Sequence, residues 1–387
     1  MIEMPSVSPH LAASTHAGMT RDAGPASVHT VLPTKAQLLS ALAPFARPSN
    51  AKGLALSVQE YAIYWGAMAL VLFAPWTALK VVASLLAGFK LTAFYTLGHD
   101  AGHQTLVANK RLNWWLAQLF AIPAWQNHRL WILDHHLLHH PKTNGEQHDF
   151  YKPYSKAEFD RLSKPAQWFE RFVRAPNVIG FGINFMFTWL LATRLFPTKA
   201  VPAHLRRSAW LHCISVLVYQ AAVFAMLWSA PAWAPVTFGE AIGLGFFLPL
   251  SVFAIVTGAS LYLMHTNRRL PWFKGTPQRE GIYSPTLCAM HMTLPAPLHK
   301  FIHNVFAHSA HHAHAGVPVY HLLDAQLHLD RILGDQGLVE PMTVSGAIAT
   351  MRACKLYDYE KHQWLDFEGV PTAPPIDLKA RGAQTAL

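Results

Sequence analysis

Long stretches without charged residues alternate with basic, polar segments along this chain. Between residues 61 and 98 the only formal charges are Lys80 and Lys90, and between residues 208 and 267 the only one is Glu240. Since a membrane-spanning helix needs about 20 apolar residues, each stretch is long enough for two spans. Proline lies near the middle of each stretch, where the chain can turn. The pattern therefore predicts two helical hairpins, over 61–98 and 208–267, with four transmembrane helices in all.

Two shorter apolar segments lie between the predicted hairpins, in residues 112–125 and 175–193. The first is too short to cross a bilayer comfortably. The second has 19 uncharged residues but contains Asn177, Asn184 and many aromatic side chains. Such segments are typical of helices that lie at a membrane surface. We therefore expect two interfacial helices here. For the second of them, partial insertion into the bilayer stays an open alternative.

The two ends of the chain differ from its centre. Residues 1–34 are rich in small and polar residues without an apolar run, which predicts a flexible tail and not a signal peptide. The hairpins and the region between them, residues 61–267, predict a membrane-embedded centre. The residues after it begin with the basic side chains Arg268, Arg269 and Lys274.

The composition agrees with a membrane protein. Hydrophobic residues make up 52% of the chain and charged residues only 13%, about half of the roughly 25% found in soluble proteins. This apolar content excludes disorder for most of the chain. The three cysteines are scattered and form no CxxC pair, which excludes a disulfide scaffold.

The formal net charge of +10 raises the question of nucleic acid binding, but no basic helix or aromatic–basic motif supports it. Lysine and arginine crowd the segments that flank the hairpins. Because basic loops stay on the cytoplasmic side, we expect both termini and the histidine-rich segments in the cytoplasm. The alanine-rich composition and the absence of a transit peptide favour a bacterial inner membrane.

Histidine is the most unusual component of the sequence. Of the 24 histidines, seventeen fall within residues 99–148 and 291–328, and eight of these form one HxxxH box and two HxxHH boxes. Residues four apart share a helix face, so each box can direct imidazoles at one metal ion. Three boxes on one side of a membrane are hard to explain as isolated structural histidines. The boxes comprise His99 and His103, then His136, His139 and His140, then His308, His311 and His312.

The number and type of these ligands narrow the choice of metal. Imidazole suits iron, zinc, copper and nickel, and eight ligands are too many for one ion, so the count predicts two. Zinc proteases use HExxH, and soluble di-iron bundles use Glu-x-x-His; neither motif matches the boxes. Two irons held by neutral histidines remain. Their place beside apolar spans indicates dioxygen chemistry on an apolar alkyl chain.

The order of the boxes around two hairpins resembles the membrane-bound fatty acid desaturase family. The segments HTNRRLPW from His265, FIHNVFAHSAHH from Phe301 and VPVYHL from Val317 are similar to acyl-lipid desaturases of the Δ12/ω-6 type. The resemblance covers roughly residues 35–335, which implies a fatty acid desaturase domain over these residues and a cytoplasmic C-terminal extension over residues 336–387. Three residues separate the histidines of the first box, where Δ9 acyl-CoA desaturases have four. The third box begins with His308, where front-end desaturases have glutamine.

The resemblance implies an all-α integral membrane protein with four transmembrane helices, interfacial helices and a cytoplasmic, histidine-rich di-iron cap. It implies O2-dependent introduction of a cis double bond into a fatty acyl chain, with a lipid-linked acyl chain as substrate. It adds a ninth ligand from the end of the fourth span. The sequence HHLLHH also permits a shifted choice with His135, but only His136 completes HxxHH. The implied ligands are His99, His103, His136, His139, His140, His265, His308, His311 and His312.

Other residues near the boxes are expected to support the ligands. The resemblance implies that His303 and Asn304 orient ligands or hold water. Three carboxylates are candidates to accept ring N–H bonds or are simply solvated, namely Asp100, Asp134 and Asp149. His321 is the best candidate for a structural contact. The chain has neither a His-Pro-Gly-Gly haem motif nor a GxGxxG after a strand, so an external carrier such as ferredoxin or cytochrome b5 is expected to supply the electrons.

Two other functions compete with desaturation. A hydroxylase or ketolase that acts on an acyl chain, an alkane or a carotenoid would use the same scaffold and metal centre. A metal transporter is the alternative from another class, but its ligands should lie inside the spans. The first-box histidines and His265 lie at span ends, and the other histidines lie in loops, which disfavours transport.

Overall fold

The computed structural model describes residues 32–145, 151–275 and 285–378, and this part of the chain is mainly helical. Three segments have π-helical geometry, namely His135–His139, Asn184–Leu195 and Gly243–Phe247. The α-helices are α1 Lys35–Leu42, α2 Asn50–Phe73, α3 Thr77–Gly102, α4 Lys110–Ala121, α5 His128–Asp134, α6 Lys156–Arg161, α7 Lys164–Val173, α8 Val178–Ile183, α9 Ala203–Ser229, α10 Phe238–Ile242, α11 Leu248–His265, α12 Ala296–Phe301, α13 His308–Ala313, α14 Val319–Leu333 and α15 Val344–Ala353.

Four short strands complete the described part of the fold. Strand β1, His291–Thr293, pairs in parallel with β2, Val339–Pro341. Strand β3, Leu356–Asp358, pairs antiparallel with β4, Gln363–Leu365. Both pairs lie in the C-terminal third of the chain: the first joins the segment after α11 to the C-terminal extension, and the second lies within that extension.

Five helices in the described residues are long and apolar enough to cross a membrane. Four of them correspond to the predicted hairpins, namely Asn50–Phe73, Thr77–Gly102, Ala203–Ala232 and Phe238–His265. The fifth is Val178–Leu195, which the sequence predicted as an interfacial helix. By length and composition the number of candidate spans is therefore five, one more than predicted. The mainly helical, membrane-type architecture itself is confirmed.

The two hairpins pack tightly against each other. Gly88 of α3 lies so close to α11 that a Cβ atom there would approach Val252 to 2.5 Å, so only glycine allows this helix contact. At the far end of the hairpins, the Lys80 ammonium lies 3.1 Å from the Glu240 carboxylate. The two charges that interrupt the apolar hairpin sequences there therefore pair with each other.

The fifth apolar helix has both ends close to the histidine boxes. Near its start, the rings of Phe181 and Tyr262 lie 5.2 Å apart, and Tyr262 is three residues from His265. At its end, the Arg194 guanidinium lies 2.5 Å from the Asp134 carboxylate. Both ends of this helix therefore contact residues that lie close in sequence to the histidine boxes.

The C-terminal extension packs onto the segment that follows α11. The Trp364 indole N–H donates a hydrogen bond of 2.9 Å to the carbonyl of Asn267. Trp364 and Tyr357 form a buried cluster with Cys354 and with Trp272, which follows α11 closely. The extension thus covers the side of the histidine-rich cap that lies next to the end of the last apolar helix.

Candidate metal centre

The structure gathers nine histidines into two neighbouring groups. Within each group, one ring nitrogen from every member lies within 4.8 Å of the others. Four separate parts of the chain supply them: the end of α3, the segment around the π-helix after α5, the end of α11, and α13. The first group is His99, His103, His135, His140 and His311; the second is His139, His265, His308 and His312.

In the middle box, the histidines that join the two groups are not all the ones predicted. Eight of the nine predicted histidines lie in the two groups, but His136 lies outside them and His135 takes its place. The prediction assumed α-helical spacing, in which His136 and His140 share a face. The chain is π-helical here, and because this helix pairs residues five apart, His135 aligns with His140 at 3.0 Å between Nε2 atoms.

His136 remains close to the first group without joining it. Its ring stacks on that of His103 with the centroids 4.6 Å apart. Its buried Nε2 atom has no hydrogen-bond partner among the described residues. His136 therefore packs beside the first group without contributing a nitrogen to it.

The spacing of the ring nitrogens fits a shared cation better than hydrogen bonding. His140 Nε2 lies 3.2 Å from His103 Nε2 and 3.1 Å from His311 Nε2, in addition to His135. A neutral imidazole nitrogen either donates one hydrogen bond or accepts one, so three such contacts cannot all be hydrogen bonds. Two nitrogens at right angles around an ion, each about 2.1 Å from it, lie about 3.0 Å apart. The residues present therefore fit a metal ion.

The electrostatic environment keeps these rings neutral. Burial lowers the pKa values of His135, His140 and His308 well below their usual range, and the neighbouring imidazoles lower them further. The same causes act on the pKa values of His311 and His312. A metal ligand must carry a free lone pair, so low pKa values keep these histidines ready to bind at neutral pH.

Backbone and side-chain oxygens orient two of the rings. His265 Nδ1 donates to the Cys288 carbonyl at 2.9 Å, which leaves its Nε2 lone pair facing His308 Nε2 at 2.8 Å. Thr143 donates to the His139 carbonyl at 2.7 Å, and its hydroxyl oxygen lies 3.3 Å from His312 Nδ1. Such outer contacts fix the tautomer of a metal ligand. The sequence alone gave no signal for either oxygen.

The predicted supporting residues mostly have other partners. Asp100 accepts hydrogen bonds from the Thr105 hydroxyl and the Val319 amide, at 3.0 and 3.2 Å, so it joins α3 to α14 instead of orienting a ring. Asp134 pairs with Arg194. Asp149 lies outside the described residues.

The His-Asn pair also differs from its expected role beside the ligands. His303 Nε2 lies 3.4 Å from a carboxylate oxygen of Glu60, and the Asn304 side chain donates to the Val319 carbonyl at 2.8 Å. His321 has a contact of the expected structural kind, since its Nε2 lies 3.4 Å from the Lys52 ammonium.

A second network, which the sequence analysis missed, holds α13 in place. The Gln326 side chain accepts from the Ala310 amide and donates to Asp330, at 2.8 and 2.7 Å. Asp330 in turn lies 2.7 Å from His291 Nδ1. Because α13 carries three of the nine histidines, this network fixes the position of these three by holding their helix.

A cavity with mainly apolar walls lies against both histidine groups. Six histidines of the two groups form one side of it, and aliphatic and aromatic side chains form most of the remainder. These walls suit an apolar group that lies close to the ring nitrogens. The non-histidine walls include Tyr95, Thr96, Trp189, Leu261, Met264, Val305, Val319 and Leu322.

Residues 74–343, which are 270 of the 387 residues, match the model of a known family, described as fatty acid desaturase. The chain belongs to the fatty acid desaturase family. The resemblance noted in the sequence is thereby confirmed, and the protein is an oxidoreductase of this family.

Curated relatives agree with this family. The desaturase is 23% identical to the sn-1 oleoyl-lipid 12-desaturase of Picosynechococcus sp., over 78% of this chain and 83% of the relative. It is 24% identical to the chloroplastic omega-6 fatty acid desaturase of Brassica napus, over 80% and 66% of the two chains. It is 22% identical to the sn-1 acyl-lipid omega-3 desaturase (ferredoxin) of Synechocystis sp., over 65% and 67%.

Proposed function

We propose that this desaturase uses O2 to introduce a cis double bond into a fatty acyl chain of a membrane lipid, as a Δ12-like enzyme. The observation that carries the proposal is the position of the two histidine groups, which form one side of an apolar cavity. The oleoyl-lipid 12-desaturases among the relatives support both the reaction and the lipid-linked substrate.

Two iron ions are the proposed cofactor, one for each histidine group. Bound there, they would supply the oxidation of two neighbouring methylene groups, with O2 as co-substrate. Nine imidazoles are proposed as ligands, and His135 replaces His136 among those expected from the sequence. The neutral state of the rings and the spacing of their nitrogens support this assignment.

The chain itself positions the substrate. Methylene groups of an acyl chain are chemically almost identical, so selection among them requires a fixed position beside the ligands. Leu261, Val305 and Val319 offer only apolar contacts along the cavity, which suit an alkyl chain and exclude water. The rigid rings of Tyr95 and Trp189 also line the cavity and would limit the positions that the alkyl chain can take.

We propose a bacterial inner membrane as the location, with both termini and the histidine groups in the cytoplasm. Four helices would span the bilayer, and Val178–Leu195 would lie obliquely in its cytoplasmic half. The contacts of this helix with Tyr262 and Asp134 support that placement, since both lie beside the histidine groups. The catalytic unit is proposed to be residues 35–335, between the tail 1–34 and the extension 336–387.

The proposed electron donor is a separate carrier, either ferredoxin or cytochrome b5. Each turnover takes two hydrogens from the acyl chain, two electrons and two protons from outside, and one O2, and it yields a double bond and two waters. The ferredoxin named for the Synechocystis relative supports the first of these carriers.

Expression in a host that lacks polyunsaturated lipids tests the proposal. We expect a new diene in the fatty acids when they are analysed by mass spectrometry. A matched His308→Ala variant should produce none. A hydroxylated acyl chain, or unchanged lipids despite iron bound to the protein, would contradict desaturation.

A further inference from the structure

Two opposite charges lie buried in the middle of the first hairpin. The Lys90 ammonium lies 2.9 Å from the Glu60 carboxylate, and the two side chains are only 3% and 1% exposed. Lys90 precedes His99 by nine residues, or about 13.5 Å at the rise of an α-helix. Charged residues at such a depth are costly and usually have a functional reason.

A loop from the histidine-rich cap reaches this pair. His303 Nε2 lies 3.4 Å from the second carboxylate oxygen of Glu60. The Lys90 ammonium also lies 4.3 Å from the centre of the Phe301 ring, a distance at which a cation is attracted to an aromatic face. Helix α12 and the residues after it are thus anchored to the hairpin by two contacts with one ion pair.

The anchored loop has a strained backbone. His303 and Asn304 have φ angles of +54° and +56°, a region that residues other than glycine occupy at some energetic cost. Such a conformation persists only where the surroundings fix it. Glu60 contacts the His303 side chain on one side, and the Asn304 side chain donates to the Val319 carbonyl on the other.

This turn leads directly into the cavity. Val305 follows it in sequence, and both Val305 and Val319 line the cavity beside the histidine groups. On the opposite side, Leu298 of α12 and Phe301 are exposed, at 50% and 37%. The loop therefore separates the cavity from the outside of the helices, and its position sets one wall of the space for the acyl chain.

We infer that Glu60 and Lys90 are positioning residues for regioselectivity. They hold the His303–Asn304 turn, and through it Val305 and Val319, so that a bound acyl chain presents one pair of methylene groups to the histidines. The inference rests on the proposed function for its substrate, whereas the anchoring of the loop does not depend on it.

The test removes the charges and keeps the side-chain volumes. The double variant Glu60→Gln/Lys90→Met should fold, because a buried ion pair can often be replaced as a unit without loss of stability. The matched control is Lys80→Met/Glu240→Gln, which removes the other hairpin ion pair at the far end. His303→Asn is a second test variant, since asparagine tolerates a positive φ but loses the contact with Glu60.

Two readouts separate this inference from the proposed function. Hydrogen–deuterium exchange of the amides of residues 300–306, measured on the full-length protein without substrate, should become about tenfold faster or more in both test variants. It should not change in the control. Unchanged exchange in both test variants would overturn the anchoring role, whether or not the unaltered protein is active.

The second readout is the position of the double bond. Both test variants should keep the iron content of the unaltered protein, while the share of the main isomer falls below about half and neighbouring isomers appear. The control should keep the original isomer distribution. An unchanged distribution in a test variant with normal iron would overturn the inference, and absence of any diene from the unaltered protein would overturn the proposed function.

Discussion

Replacing His135 or His136 by alanine distinguishes the ligand set of the structure from the set expected from the HxxHH spacing. The two residues are adjacent, so the paired variants His135→Ala and His136→Ala are closely matched. His135 Nε2 lies 3.0 Å from His140 Nε2 within the first group. His136 lies outside both groups; its ring stacks on that of His103 and meets that of Trp131 edge-on, so its loss removes aromatic contacts of about 1 kcal/mol each.

The expected effects differ in size. Loss of a residue that merely orients a ligand costs 10- to 100-fold in metal affinity, so loss of a ligand should cost about 100-fold or more, equivalent to about 2.7 kcal/mol. His135→Ala should therefore lose iron from the first group and keep it in the second. His136→Ala should keep close to the iron content of the unaltered protein.

The assay is iron per polypeptide after equilibration with graded concentrations of a chelator. His135→Ala should release half of its iron at a chelator concentration at which the unaltered protein and His136→Ala keep both ions. The reverse order, with iron lost from His136→Ala and kept by His135→Ala, would refute the π-helical alignment of this box.

Three further predictions concern the surroundings of the centre. Thr143→Val removes the hydroxyl beside His312 Nδ1 and should weaken iron binding by about 10- to 100-fold in the same chelator titration; an unchanged titration would show that this hydroxyl does not support the ligand. Gly258→Ala places a Cβ atom 2.6 Å from the Phe181 carbonyl, whereas a Cβ atom in the control Gly243→Ala meets nothing within 4 Å. Only Gly258→Ala should therefore lower the free energy of unfolding, by about 1–3 kcal/mol. Equal melting temperatures of the two variants would contradict the close packing at Gly258. Burial lowers the pKa of His128 to about 3, so the unfolded chain binds its proton first and stability should fall as the pH drops below about 6.5. By pH 5 this loss of stability amounts to about 2 kcal/mol. Thermal unfolding should therefore show a smaller loss of stability on acidification to pH 5 for His128→Gln than for the unaltered protein. An equal loss in both would exclude this role for His128.

The sequence was most informative where one physical requirement determines the pattern. Uncharged stretches of sufficient length predicted both hairpins, because a bilayer accepts few charges. The boxes predicted eight of the nine grouped histidines together with the resemblance, because metal ligands must converge. The helix Val178–Leu195 was harder to place, since its composition suits a span and only its contacts with Tyr262 and Asp134 show where its ends lie.

Other features depend on geometry that the sequence does not encode locally. The choice of His136 followed from the HxxHH pattern and assumed α-helical spacing, and the π-helical segment changes which residues share a face. The roles of His303 and Asn304 followed from a resemblance, but Glu60, more than 240 positions earlier, approaches His303 only in the folded chain. Lys90 stood out as a charge within an apolar stretch, yet its partner Glu60 lies just before that stretch and gave no signal.

Turnover of the purified, iron-loaded protein is the most direct test of O2-dependent desaturation by this chain. The full-length protein would be placed in a bilayer of lipids with a single cis double bond at C9, with reduced ferredoxin and O2, and the acyl chains would be analysed by mass spectrometry. We expect a chain lighter by two hydrogens with a second cis double bond, and one O2 consumed for each double bond formed. A hydroxylated chain, or an unchanged chain in a protein that holds two irons, would contradict this expectation.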